Sequence, residues 1–169
     1  YRNVQEIFKA GKRGSDLVKQ ILSFGRQSKQ KIIPVQIQRI LKEVLNLGRS
    51  TIPSNIQIAQ KIQDDCGLVL ADPSQIHQIA MNLVTNAYHA VEESGGEISM
   101  ELRETELGPD DFVDNLLEAD RYAMLSISDN GRGIDPAFID KIFEPYFTTK
   151  ELGKGTGLGL SVVYGIVKE

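Results

Sequence analysis

Residues 129–159 read DNGRGIDPAFIDKIFEPYFTTKELGKGTGLG, and the fold follows from how this stretch is read. Gly131 and Gly133 open it, Gly153, Gly155, Gly157 and Gly159 close it, Gly165 follows, and an aromatic segment lies between the two groups. A packed core has no use for so many glycines. Glycine lets a flat or charged guest approach the backbone, because it lacks Cβ and tolerates positive φ, and consecutive N–H groups leading into a helix form an anion site. A nucleotide is the guest this chemistry suits.

The flanking segments supply a scaffold. Downstream, GLGLSVVYGIVKE begins a helix, and within the stretch Asp135–Pro136 opens a short one. Upstream, EISMELRET (97–105) and YAMLSISD (122–129) alternate in part and predict two strands. Between them LGPDDFVDNLLEAD is an acidic segment expected to be an exposed loop or insertion. Asp72–Pro73 combines an N-cap carboxylate with proline at the first helical position, predicting a helix from 73 to about 93 that stops at Ser94–Gly95–Gly96. GLVLA (67–71) suits a short buried strand, NIQIAQKIQ (55–63) alternates as a strand through Ile56, Ile58 and Ile62, and IQRILKEVLNLGR (37–49) is a helix with apolar Ile37, Ile40, Leu41, Val44 and Leu45. KIIPVQ (31–36) is a strand candidate ended by Pro34.

Residues 1–30 read as one amphipathic helix, with Val4, Ile7, Gly11, Gly14, Val18, Ile21 and Gly25 spaced by threes and fours. Three glycines on that face favour close approach of a partner helix, so the chain is expected to begin within a helical hairpin or dimer bundle.

Composition narrows the classes. At 169 residues and 41% hydrophobic, the chain supports one ordinary domain plus an appendage. A net charge of −4 with no basic stripe argues against a nucleic-acid surface. No apolar run approaches the roughly 20 residues of a membrane span, and no signal peptide opens the sequence. The single cysteine, Cys66, excludes a disulfide frame and a multi-cysteine metal site, and fits a reducing, cytoplasmic compartment.

Within the helix 73–93, Asn82 and Asn86 stand one turn apart and His89 lies three residues further on the same face, while Ile76, Ile79, Ala80, Leu83, Ala87 and Ala90 form a separate apolar stripe. Two amide oxygens directed into a cleft suit Mg²⁺, a hard cation that keeps several waters and is completed by substrate phosphates. Taken singly, paired asparagines on a helix face are commonly just solvated, Asp129–Asn130–Gly131 is a plain turn, and FEPYF is an aromatic pair beside a proline. Their order carries more weight: paired Asn on a helix, a strand ending in DxGxG, an aromatic segment, then GxGxGxG running into a helix.

That order resembles the catalytic ATP-binding domain of sensor histidine kinases, within the Bergerat-fold group that also includes gyrase, mismatch-repair and chaperone ATPases. QIAMNLVTNAYHA (78–90) is similar to the family's N box, DNGRGI to its first glycine box, FEPYF to its F box and GKGTGLGLS to its second glycine box. AGKRGSDLVKQILSFGRQ (10–27) resembles the second helix of the dimerisation and phosphotransfer hairpin. The resemblance covers nearly the whole chain.

It implies a two-layer α/β sandwich, a mixed sheet covered by helices and preceded by one long helix. Residues 1–30 would be the partial hairpin and 31–169 the catalytic domain, stopping before the family's closing strands. Asn86 would bind Mg²⁺, Asn82 would assist at the phosphates, and Asp129, as a buried carboxylate, would accept from the adenine 6-amino group. Gly131 and Gly133 would let the backbone approach the base. Phe143 and Phe147 would anchor a mobile lid over roughly 147–156, and Gly155, Thr156, Gly157, Leu158 and Gly159 would close over the phosphates. His89 and Lys150 would add charge or donors at the triphosphate. His77, one turn before the N box, would be an ordinary helix histidine.

The implied reaction is transfer of the ATP γ-phosphoryl to a histidine on a helix absent from the chain, then to an aspartate of a response-regulator receiver domain, with homodimerisation through the hairpin. Relatives that hydrolyse ATP carry Glu where this chain has Asn82, and an amide cannot take a proton from water. A nucleotide-sensing module without kinase activity, and a Bergerat-fold serine kinase, are the alternatives.

Overall fold

The computed structural model describes residues 31–108, 120–150 and 155–168. The expected hairpin helix (1–30), most of the acidic segment and the centre of the expected lid, with Gly153 and Lys154, lie outside the described residues. The chain divides into two compact units, and the larger is Lys31–Asp135.

The larger unit begins with β1 (Ile33–Val35). Pro34 sits within this strand rather than ending it, because among the described residues β1 pairs with β3 alone and an edge strand tolerates a missing donor. α1 (Ile37–Thr51) follows, its buried face formed by Ile37, Gln38, Leu41, Val44, Leu45 and Gly48. The helix runs two residues past the expected Arg49. The hydroxyls of Ser50 and Thr51 donate to the Leu47 carbonyl at 2.7 and 2.9 Å, Ile52 N–H donates to the Gly48 carbonyl at 2.8 Å, and Pro53 prevents a further turn.

β2 (Ile56–Ile62) and β3 (Val69–Ala71) come next. The apolar run 67–71 is not a buried strand as expected: Leu68 and Leu70 are 63% and 71% exposed, because the β1–β3 ribbon is covered on one side only. α2 (Pro73–Val91) starts where Asp72–Pro73 predicts, with Asp72 Oδ1 accepting from the Ser74 N–H at 2.8 Å. Asp72 Oδ2 accepts from the Lys31 N–H at 2.9 Å, tying the helix start to the entry of β1.

α2 is the crossover between β2 and β4 (Gly96–Leu107), which run parallel, and β5 (Asp120–Asp129) returns antiparallel to β4. The sheet order is β2–β4–β5, a mixed sheet as expected. Ile98, Met100 and Leu102 alternate inward along β4 and are at most 1% exposed. Against them pack Leu41, Val44, Leu45, Ala80 and Val84 in one cluster and Ala87 and Val91 in a second. The helix stripe therefore differs from the expected one: Val84 and Val91 are buried while Leu83 and Ala90 are only half-buried. Both sets have helical spacing, and contact with β4 selects between them.

The smaller unit, over residues 136–150 and 155–168, holds a 3₁₀ helix (Pro136–Lys141), the aromatic segment and α3 (Gly159–Lys168). Phe138 stacks with Phe147 at 5.6 Å between ring centroids and Phe143 with Tyr164 at 5.3 Å. Among the described residues no helix is long and apolar enough to cross a membrane.

Candidate functional site

Asn82 and Asn86 stand on α2, which Asp72 and Pro73 start and whose apolar side is held on β4. Both are half-buried, and among the described residues neither side chain has a hydrogen-bond partner. Amides in that state keep their oxygens available, which suits a hard cation completed by phosphate oxygens and water. Among the described residues no three His, Cys, Asp or Glu side chains form a metal cluster.

His89 has a partner the sequence pattern did not single out. Its Nδ1 lies 3.2 Å from Glu92 Oε2, and its ring is 5.3 Å from that of Tyr88. With Nδ1–H directed to the carboxylate, Nε2 is the nitrogen left for a ligand. The pair is an ordinary i, i+3 spacing, legible once Glu92 is counted as part of the last turn.

Asp129 ends β5. Ala123, Leu125 and Ile127 precede it on the inward face, and its register partner is Ile98, so Asp129 lies on the helix-covered side of the sheet. It is exposed rather than buried as expected, because it stands where the strand leaves the core. Its Oδ1 accepts from the Gly131 N–H at 3.0 Å, and Oδ2 has no partner among the described residues.

The two glycines of the first cluster differ. A Cβ on Gly131 would collide with the carbonyl and Cβ of Ala90, so packing against the end of α2 itself requires this glycine. Arg132 N–H donates to the Ala90 carbonyl at 3.3 Å in the same contact. Gly133 has φ +69° and open space where a Cβ would lie, so backbone conformation and not crowding calls for glycine there.

In the smaller unit, Tyr146 N–H donates to the Gly157 carbonyl at 2.9 Å, joining the aromatic segment to the second glycine cluster. Thr156 Oγ1 accepts from the Leu158 N–H at 3.4 Å, and the Leu158 carbonyl accepts from Val162 N–H and Ser161 Oγ, both at 3.0 Å, which starts α3. Leu158 and Ser161 are buried. Gly155 faces Thr148 Oγ1 and the Lys150 side chain, with room for no Cβ. Phe143 and Phe147 pair with Tyr164 and Phe138, while Phe143 remains 43% exposed.

A family model described as histidine kinase-, DNA gyrase B- and HSP90-like ATPase matches residues 71–169, from the strand before α2 to the end of the chain. The chain belongs to this ATPase family. Among its relatives, the sensor kinase CckA of Brucella abortus is 36% identical over 100% of this chain and 18% of its own length. The sensor histidine kinase ZraS of Salmonella typhimurium is 31% identical over 98% of this chain and 32% of its own length. The chain thus spans about a third or less of these curated relatives. The solved catalytic domain of histidine kinase ThkA has the same fold, with a TM-score of 0.64 and 28% identity over 82% of this chain and 80% of that one. Full-length ShkA in complex with AMPPNP matches with a TM-score of 0.66 and 24% identity over 89% of this chain and 30% of that one, a likeness of fold alone. The mixed α/β architecture and the family agree with the expectation from the glycine boxes.

Proposed function

We propose that this ATPase-family chain is the ATP-binding catalytic part of a two-component sensor histidine kinase, residues 31–169, preceded in 1–30 by the second helix of a dimerisation hairpin. The observation that carries the reading is one helix with two unpartnered amides, Asn82 and Asn86, packed on the sheet whose β5 ends in an available carboxylate, Asp129. Full-length relatives bearing the name sensor kinase support it.

In this reading Asn86, with Asn82 beside it, holds Mg²⁺ on the phosphates of ATP. When bound, the metal neutralises phosphate charge and orients the γ-phosphoryl group. Asp129 Oδ2 accepts from the adenine 6-amino group, while the 6-carbonyl of guanine would meet the same carboxylate with repulsion. Gly133 supplies the positive φ that carries the chain past the base. Nε2 of His89 and the ammonium of Lys150 act at the triphosphate. Gly155, Thr156, Gly157, Leu158 and Gly159 bring backbone N–H groups to the phosphates at the start of α3.

A loose phosphoryl transition state asks for positioning and charge stabilisation rather than covalent catalysis, and this donor set provides both. Asn82 cannot act as a base toward water, which favours transfer over hydrolysis. The acceptor is a histidine on the other hairpin helix, and a receiver-domain aspartate takes the group next; a solved complex of ThkA with the response regulator TrrA is a precedent in fold for that partner. Use of ATP and a receiver partner assigns the domain to the cytoplasm.

Incubation of the chain with γ-labelled Mg-ATP and a separately made hairpin tests this. The hairpin should gain an acid-labile label, at a rate limited by encounter because tethering is lost. An acid-stable label would identify a serine kinase, and nucleotide binding without any transfer would identify a sensing module.

A further inference from the structure

The turn after β5 is tied to two other elements by contacts that the nucleotide reading does not use. The last register pair of the β4–β5 ladder is Ile98 with Asp129. One step beyond it, the Asn130 N–H donates to the Glu97 carbonyl at 3.3 Å, and Asn130 Oδ1 accepts from the Glu97 N–H at 2.8 Å. The side chain thus supplies the better half of an extra rung, which main chain alone would leave long. Gly96 makes room for it: φ there is +153°, and a Cβ would fall on Asn130 Oδ1 and lie 3.1 Å from Val91 Cγ1. The next residue, Gly131, is pressed on Ala90 and donates to Asp129 Oδ1 at 3.0 Å.

These contacts form a chain of dependence. An exposed aspartate at a strand end ordinarily samples several rotamers. Here one carboxylate oxygen is pinned by the Gly131 N–H, and that N–H is where it is because Asn130 holds the turn to β4. The turn also meets the end of α2 through Arg132 N–H and the Ala90 carbonyl, a main-chain contact that the Asn130 side chain does not enter.

We propose that Asn130 is a positioning residue for nucleotide selection: by closing the extra rung on Glu97 it aims Asp129 Oδ2 at the 6-position of the purine. This rests on the reading of Asp129 as the adenine contact. Asn130 touches no nucleotide atom in this scheme, and its effect is confined to the part of affinity that depends on the 6-substituent.

The experiment is equilibrium binding of ATP and of ITP, which carries a 6-carbonyl in place of the amine, to the full chain and its variants. Asn130→Ala should weaken ATP about tenfold, the effect of losing one hydrogen bond to a charged group, while ITP affinity stays within about twofold. Asn130→Asp, which keeps an acceptor oxygen in place, should recover most of the ATP preference. In an Asp129→Asn background, Asn130→Ala should cause no further loss for ATP. Gly96→Ala, which crowds Oδ1 while leaving Asn130 present, should shift the ATP-to-ITP ratio in the same direction and serves if Asn130→Ala does not fold. Equal weakening of ATP and ITP by Asn130→Ala and Gly96→Ala would make the rung merely structural and overturn the proposal. A ratio that moves with Asp129→Asn but not with Asn130→Ala would overturn it while leaving the adenine reading intact; a ratio unmoved by Asp129→Asn would remove both.

Discussion

The main-chain N–H of Tyr146 donates to the carbonyl of Gly157 at 2.9 Å, and both residues have positive φ, +69° and +66°. A Cβ on Gly157 would collide with the Tyr146 carbonyl carbon and lie 2.6 Å from its oxygen. Gly157 is therefore demanded twice, by conformation and by crowding. Tyr146 holds the left-handed region at a cost of about 1 kcal/mol or more. Gly157→Ala should lower stability by about 1–3 kcal/mol, whereas Tyr146→Gly should be near neutral because relief of strain offsets the added freedom of the unfolded chain. Urea unfolding of the two variants checks this, and the reverse ranking would show that the contact is not strained.

Asn86→Ala should abolish the part of ATP affinity that depends on Mg²⁺ and leave metal-free ADP nearly unaffected, since the amide oxygen acts through the ion. Asp129→Asn should weaken ADP with and without metal, by about 1–3 kcal/mol. Calorimetric titration with and without a chelator separates the two. Equal effects of both substitutions on metal-free ADP would refute the division of roles.

Asp72 carries a pH signature. Hydrogen bonds from the Ser74 side chain and the Lys31 N–H hold its carboxyl below the usual range. The folded state thus binds that proton less readily than the unfolded chain does. Its contribution is present above an unfolded pKa of about 3.9 and is lost as pH falls through the lower folded value. Asp72→Ala should cost about 1 kcal/mol at pH 7, an ordinary N-cap loss, and the difference from wild type should shrink below about pH 4. Denaturation midpoints across pH 3–7 measure the trend, and a constant difference would contradict the cap assignment.

Cys66 should be inert in the folded protein. Burial pushes its thiol up, with Glu104 and Asp65 adding in the same direction, and the residue is 5% exposed. Thiolate is the reactive form, so alkylation at pH 7.5 should be slow until denaturant is added. Because the folded pKa is the higher one, the same group withdraws stability as pH rises above the unfolded value of about 8.5. Cys66→Ala should flatten that alkaline decline, and rapid labelling of native protein would rule out the burial argument.

Much of this protein is written locally. The Asp72–Pro73 start of α2, the alternation that buries Ile98, Met100 and Leu102, and the spacing of Asn82, Asn86 and His89 all depend on residues within a few positions of one another, and sequence determines them through caps, pleat and helical period. The order of the glycine boxes was likewise enough to identify the family. Tertiary structure decided what no local rule can carry. Val84 and Val91 face the sheet instead of Leu83 and Ala90, because two stripes of equal period compete and only contact with β4 ranks them. Leu70 is exposed because its ribbon has one covered side, and Gln38 is buried because its amide donates to the Cys66 carbonyl at 2.6 Å across a separation of 28 residues. Gly131, which the sequence offers as an opening for a ligand, is also pressed on Ala90, some forty residues away, a contact no local pattern announces. Close approach of two backbones is a property of packed elements, and it leaves the same glycine in the sequence whichever partner requires it.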